Sequence, residues 1–413
     1  MRQVRWASWM GAVAMTVALG GATPAAADVA SDRAAAIVVY PWVVTSEPFV
    51  DTVIQLSNTS REGPIDVWCF YENANPHCTN TGDVCFAAED CCDGYGCGIC
   101  LPGWSETDFF LRLTPLQPLA WLASDGLSEF PIDGVDFRGS DGSSNAGSRV
   151  PPVPEDPFIG ELKCIAISPE GVPIDANVLK GEATLEQFLP FRGIGASPLD
   201  VAKYNAVGIQ AIPGAVNDDK VLVLGGDGAE YNGCPNVNIL NHFSDFVADP
   251  ATGEYCAPTN DGSSEGCIET QLVIVPCTQD LLRQIPGSAV VQYLVFNEFE
   301  QRFSTSRTAR CQQALPISNI DTTQRLRSIF SAGVLGTVSA QTRFTPIGSG
   351  LIGVAIESHD GREVSIGDSG EWAVGAASGL MTRTITATVR NDSAAFNLHI
   401  QGDRPDSDFI TLP

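Results

Sequence analysis

The sequence predicts an all-β protein of two β-sandwich (Ig-like) domains carrying a disulfide-rich loop insertion and a few short helices. Three observations carry that expectation. Apolar and polar residues alternate with a period of two in one segment after another. Forty glycines and 27 prolines punctuate 413 residues, which favours short strands joined by turns. Helical patterns are few and brief. The hydrophobic fraction of 44% against a charged fraction of 17% suits packed cores, and the length has room for more than one.

Residues 1–27 read as a signal peptide. Arg2 and Arg5 form a basic start, Trp6–Gly21 is apolar and uncharged, and Ala25-Ala26-Ala27 offers small side chains before Asp28. The apolar run is short for a membrane span of ~20 residues. The expected product is a secreted or periplasmic protein, cleaved near Ala27, with no membrane span. Thirteen cysteines suit that oxidising setting.

Residues 28–215 make the first expected sandwich. Ile54 and Leu56 alternate with Gln55 and Ser57; Ile65, Val67, Cys69 and Tyr71 alternate with Asp66, Trp68 and Phe70. Phe109, Leu111 and Leu113 repeat the pattern, as do Leu162, Cys164 and Ala166. Trp68 and Trp121 lie beside these strands, so they read as core rather than as a sugar-stacking platform with Trp104 and Tyr204. Residues 72–104 form a cysteine-rich insertion, and 131–157 a Pro/Gly-rich loop.

The second sandwich is expected over 216–413. Its strand patterns lie at Val221–Leu224, Leu272–Val275, Val291/Tyr293/Val295, Arg383–Val389 and Phe396/Leu398/Ile400. Short helices are predicted at Thr278–Gln284, before Pro286-Gly287, and at Thr322–Phe330, before Gly333. Val237–Val247 fits a helix or a strand. An internal echo links the halves: Leu162-x-x-x-Ala166-Ile167 matches Leu351-x-x-x-Ala355-Ile356, and Asn58 and Asn297 each end a strand. Duplication of one ancestral unit and the common chemistry of strands ending in turns both explain it.

Six cysteines crowd the insertion: Cys78, Cys85, Cys91, Cys92, Cys97 and Cys100. The spacing, with an adjacent third and fourth cysteine, resembles the inhibitor cystine knot (knottin) over these residues alone, with a short last interval, Gly98-Ile99. The resemblance implies a loop held by three bridges and, in other proteins of that type, partner binding. Export favours bridges over a zinc site built on Cys97 and Cys100. Cys69 and Cys164 sit in separate strand patterns and are expected to bridge across the first core. Cys256–Cys267 reads as a local clip. Cys234, Cys277 and Cys311 compete for one further bridge, leaving an odd thiol.

Catalytic motifs meet ordinary explanations. Gly367-Asp-Ser-Gly370 resembles the nucleophile turn of trypsin-like proteases, but Glu371 follows where that family has glycine, and His77 lies inside the cysteine cluster. The segment reads as a polar turn. Phe296-Asn297-Glu298 resembles an Asn-Glu acid/base pair of some (β/α)8 glycosidases, with Asp280 and Glu300 as loose second carboxylates, but the helices of that fold are missing. His77, His242, His359 and His399 show no zinc spacing. Acidic turns at Asp133–Asp141, Asp218-Asp219, Gly226-Asp-Gly228 and Asp403–Asp408 would suit structural calcium or simply solubilise the surface. No other cofactor is expected.

With 49 acidic against 23 basic residues and a net charge of −26, the surface repels phosphate backbones and anionic lipid. Nucleic acid is therefore excluded as an expected partner. The overall look is loosely similar to uncharacterised secreted β-sandwich proteins of large-genome bacteria, a likeness that implies no activity. The expected function is non-catalytic: an exported, disulfide-stabilised binding or structural protein for a protein or carbohydrate ligand. The rival is a secreted hydrolase of glycosides or peptides using acidic residues.

Overall fold

A computed structural model describes residues 29–46, 50–85, 88–93, 96–101, 103–127, 149–187, 200–248, 256–258, 264–265, 267–321, 324–359, 363–367, 384–388 and 392–413. The signal segment, Asp133–Asp141 and the Gly-Asp-Ser-Gly turn around Ser369 lie outside these residues. Strands take 59% and helices 4%, so the all-β expectation holds.

The division into two Ig-like sandwiches does not. Five principal sheets form a propeller-like ring. The first sheet orders its strands Val29–Ala30, Val207–Ile209, Ile37–Thr45, Phe158–Ile167, Ile65–Asn73 and Ser105–Leu113. The second runs Pro118–Leu122, Val50–Asn58, Leu179–Gln187 and Asp200–Asn205. The third joins Val221–Leu224, Asp408–Thr411 and Gln279–Asp280. The fourth orders Arg302–Arg310, Ser288–Asn297, Ser339–Ile347, Pro235–Phe243 and His399–Asp403. The fifth runs Val247–Ala248, Cys267–Pro276, Leu351–His359 and Asp392–Asn397, with Gln313–Pro316 on Cys267–Pro276.

Burial explains why separate sandwiches fail. Strands of the second and fourth sheets alternate, as Ser288–Asn297 does between Val291, Tyr293 and Val295 inside and Gln292 and Leu294 outside. The central strands of the first and fifth do not, though the edge strand Ser105–Leu113 does. Ile37–Val43, Val67–Asn73 and Leu351–Ile356 are buried without interruption, as a sheet covered on both faces requires. In the fifth sheet, Val273, Val275, Ile352 and Val354 belong to the core of the first half. Leu272, Ile274, Leu351 and Ala355 face the core beneath the fourth sheet. One sheet thus serves two cores.

Two helix expectations are corrected. Gln279–Asp280 is a strand, because the Gln279 amide is buried and its Nε2 donates to Glu161 Oε1 (2.5 Å) while Thr278 donates to Asp408 (2.8 Å). Those tertiary partners outweigh local helix preference. Around Leu326 the described chain makes only a 3-10 turn, Arg325–Arg327, and a one-turn helix, Ala332–Leu335, ending at Gly336 with φ of 68°. The ambiguous Val237–Val247 stretch supplies the strand Pro235–Phe243.

Six disulfides form: 69–164, 78–91, 85–100, 92–97, 234–277 and 256–267. Cys311 is the free, buried thiol. The local clip at Cys256–Cys267 is present. Cys69–Cys164 does not cross between sheets, because the two residues face each other in register on adjacent strands of the first sheet. The insertion closes a hairpin: Asn73 pairs with Ser105 beneath it, and His77 with Leu101 at its neck.

Candidate functional site

The outer face of the fourth sheet offers the most complete recognition chemistry among the described residues. Period-two alternation decides which side chains it displays. Phe296 lies opposite Arg302 on one side and Gln341 on the other, and Gln341 faces Asn241. The next outward row is Ser304, Leu294, Arg343, Ile239 and His399. The row after that holds Ser306, Gln292 and Thr345.

Two hollows lie along these rows. One, of about 500 Å³, is lined by Asn241, Phe243, Phe296, Glu298, Gln341 and Glu357 among others. The other, of about 780 Å³, is lined by Gln292, Leu294, Ser304, Ser306, Arg343 and Thr345. The hollows share no lining residue, but the rows of Phe296 and Leu294 are two residues apart on one strand, so the two lie side by side, ~7 Å from row to row, as a trough in two parts.

The trough is preorganised. Gln341 Nε2 donates to Asn241 Oδ1 (2.8 Å), which fixes both amides and leaves Gln341 Oε1 and Asn241 Nδ2 without partners among the described residues. Glu298 accepts from the Ser339 backbone N–H and hydroxyl, both at 2.9 Å, and these bonds hold its carboxyl below the usual range. Glu357 Oε1 lies 2.8 Å from His359 Nε2, and the His359 ring meets Phe243 edge-on at 6.0 Å. Beneath the face, His242 is buried. Its Nδ1–H donates to Phe243 O (2.7 Å), so Nε2 accepts from the Thr342 hydroxyl (2.8 Å). Burial drives its pKa down to about 4.

This geometry gives the Phe296-Asn297-Glu298 segment a different role from an acid/base pair. Asn297 is buried, donating to Leu335 O (2.8 Å) and Gln301 Oε1 (2.9 Å) and accepting from the Phe299 and Gln301 N–H groups. It staples the turn that presents Phe296. Asn58 does likewise at the end of its strand, donating to Gly63 O and accepting from Ser60 N–H. Asp280 binds Arg283 (2.9 Å) in another turn. Of the aromatic residues singled out as an alternative platform, Trp104 is half-buried and lines a separate hollow, whereas Trp121 and Tyr204 are buried, with Trp121 donating to Tyr71 (2.7 Å) and Tyr204 to Trp42 O. Trp68 is 6% exposed and stacks on Phe110 at 5.0 Å.

A second polar cluster lies inside the molecule. Lys163 Nζ sits 2.9 Å from Glu72 Oε1 and 2.9 Å from Glu161 Oε2, all three almost wholly buried. Burial and the neighbouring Glu161 push the Glu72 carboxyl well up, while the two carboxylates hold Lys163 protonated against its own burial. Burial first, and these carboxylates next, also raise the Cys311 thiol. The cluster joins the first sheet to Gln279.

The cysteine-rich insertion is seated on Glu155. His77 Nε2 lies 2.9 Å from Glu155 Oε2, and Asn73 and Asn75 each donate to Glu155 Oε1 at 2.6 Å. Two groupings of metal-type ligands occur among the described residues, Cys78–Cys85–Cys91 and Cys234–Cys277–Asp408. Their sulfurs are engaged in disulfides, and Asp408 accepts from Thr278 and Gly350, so neither is poised as a metal site.

Sequence reasoning ended a strand at Asn297 and ran another through Ile400; Glu298 lies in the turn after the first and His399 on the outer face of the second. It missed Gln341, Asn241 and Arg343, whose only signal was alternation in strands that pair across long sequence separations. No protein-family model matches this chain, and comparison with curated proteins finds no significant match.

Proposed function

We propose that this is an exported binding protein that holds carbohydrate on the outer face of its fourth sheet. The observation that carries the reading is the half-buried Phe296 ring beside the locked Gln341–Asn241 amide pair, in a trough floored by strands. An aromatic ring accepts the apolar face of a sugar, and planar amides with one free donor and one free acceptor match vicinal hydroxyls. Rigid strands preorganise both, which spares ordering entropy on binding.

Six disulfides support an oxidising, extracellular or periplasmic setting, and no described helix is long and apolar enough to cross a membrane. The test is a glycan-array and calorimetric screen of the purified protein. Phe296→Ala and Gln341→Ala should each weaken binding about tenfold or more while the far-ultraviolet circular dichroism is unchanged. Glycoside turnover that vanishes in Glu298→Gln or Glu357→Gln would instead install the hydrolase reading; glycan binding indifferent to both trough substitutions would remove the face from consideration.

A further inference from the structure

The basic residues are unevenly placed. Residues 281–350 contain seven arginines (283, 302, 307, 310, 325, 327 and 343) and three acids (Glu298, Glu300 and Asp321). The rest of the chain holds sixteen basic residues against forty-six acids. Of the seven arginines, Arg302, Arg310 and Arg343 stand on the outward side of the fourth sheet, whose strands carry one acid, Asp403.

Four arginines elsewhere bind carboxylates: Arg112 binds Asp66, Arg283 binds Asp280, Arg325 binds Glu269 and Arg404 binds Asp406. Others, such as Arg307, which donates to Asn319 O, do not. Arg302, Arg310 and Arg343 have no carboxylate partner among the described residues, in a protein with twice as many acids as bases. Arg343 lines the larger hollow among Ser304, Ser306, Gln292 and Thr345, and Arg302 flanks Phe296. Alternation places Arg310 on the same side of the strand as Arg302, ~27 Å away, where it lines a third hollow with Trp104 and Gln284.

From this placement we infer that the ligand of the trough is an acidic polysaccharide, one whose sugar rings carry carboxylates. The inference rests on the carbohydrate-binding reading of the same face. Guanidinium groups take carboxylates through paired hydrogen bonds, and Arg302 and Arg343, with Arg310 farther off, are spread over two strands of the sheet as an extended polymer would need, not gathered around one small anion. The two carboxylates of the trough, Glu298 and Glu357, sit at the Phe296 end. The uncharged edges of the sugars belong there and the uronate groups toward Arg343. The acidic remainder of the surface does not forbid this, because charges beyond ~8 Å are largely screened at physiological ionic strength. It does disfavour nucleic acid, whose denser charge demands many more cations than this face supplies.

The experiment compares polygalacturonate with its carboxyl-reduced, neutral counterpart by calorimetry, using the whole disulfide-bonded protein. Polygalacturonate should bind at least tenfold more tightly, and added salt should weaken it far more than the neutral polymer. Arg343→Gln and Arg302→Gln should each remove most of that preference and of its salt dependence; Phe296→Ala should weaken both polymers and keep the preference. Equal binding of the two polymers, unaltered by Arg343→Gln, overturns the acidic-ligand inference and leaves the sheet-face reading standing. No binding of either polymer, or of any arrayed glycan, overturns both. Salt-sensitive self-association lost in Arg302→Gln, without polymer binding, would assign the arginines to a second copy and also overturn it.

Discussion

His242 shows how one buried side chain writes a pH dependence into the whole. Its neutral ring is fixed between Phe243 O and the Thr342 hydroxyl, and protonation would place a charge in a buried site. The folded pKa of about 4 lies below the ordinary 6.5, so below pH 6.5 the unfolded chain takes up a proton that the native state refuses. Stability from this residue is therefore complete above pH 6.5 and lost progressively toward pH 4. Asp245, pushed up to about 6 by burial despite bonds from Ser318 and Thr270, acts with the opposite sign, since the native state keeps its proton longer than the unfolded chain does. A single pH profile mixes the two, and a variant separates them. Between pH 7 and pH 4.5, urea unfolding of the native sequence should lose about 2 kcal/mol more than that of His242→Gln. Parallel losses in the two proteins would show that His242 is protonated in the folded state.

The cysteine-rich insertion is an element with its own bridges and its own anchorage. Three disulfides close within it, Asn73 pairs with Ser105 below, and the His77–Leu101 pair closes its neck. Replacing residues 78–100 by an Asn-Gly turn should therefore leave the first sheet folded, shift Tm by a few degrees and leave glycan binding at the fourth sheet unchanged. Binding lost together with the insertion, in a protein that still melts cooperatively, would move the recognition site to the insertion. Its boundaries were legible in sequence because cysteines and the strand patterns on either side are local signals. The strands were legible for the same reason: Ile54/Leu56 and Val291/Tyr293/Val295 alternate within a few residues. The helix expected at Thr278–Gln284 failed because its decisive partners, Glu161 and Asp408, are more than a hundred residues away in sequence. The trough was hidden for a related reason. Phe296, Gln341 and Asn241 become neighbours only through strand pairing, and no single segment contains two of them.

At the scale of the whole molecule, the apolar runs Ile37–Val43, Val273–Val275 and Leu351–Ile356 record how the halves are joined. A sandwich strand with one face in water alternates; these do not, because the first and fifth sheets are covered on both sides. No described sheet draws strands from both sides of residues 210–220, yet the core of the first half includes Val273, Val275, Ile352, Val354 and Ile356. Each such side chain contributes about 1.5–3 kcal/mol on burial, so this face alone contributes on the order of 10 kcal/mol, comparable to the net stability of a domain. The buried Lys163, with Glu72 and Glu161, meets Gln279 at the same junction, and Gln312 donates to Pro41 O (2.6 Å) and Gly160 O (2.7 Å). Separation would leave those polar groups unpaired as well as exposing the apolar face. Residues 216–413, exported alone, should consequently bind a hydrophobic dye, associate and lack a cooperative melt, whereas co-export with residues 28–215 should restore a soluble complex with the native melting profile. A monomeric, cooperatively folded second half that ignores the first would mean that the shared core adds little, and that the halves are independent sandwiches after all.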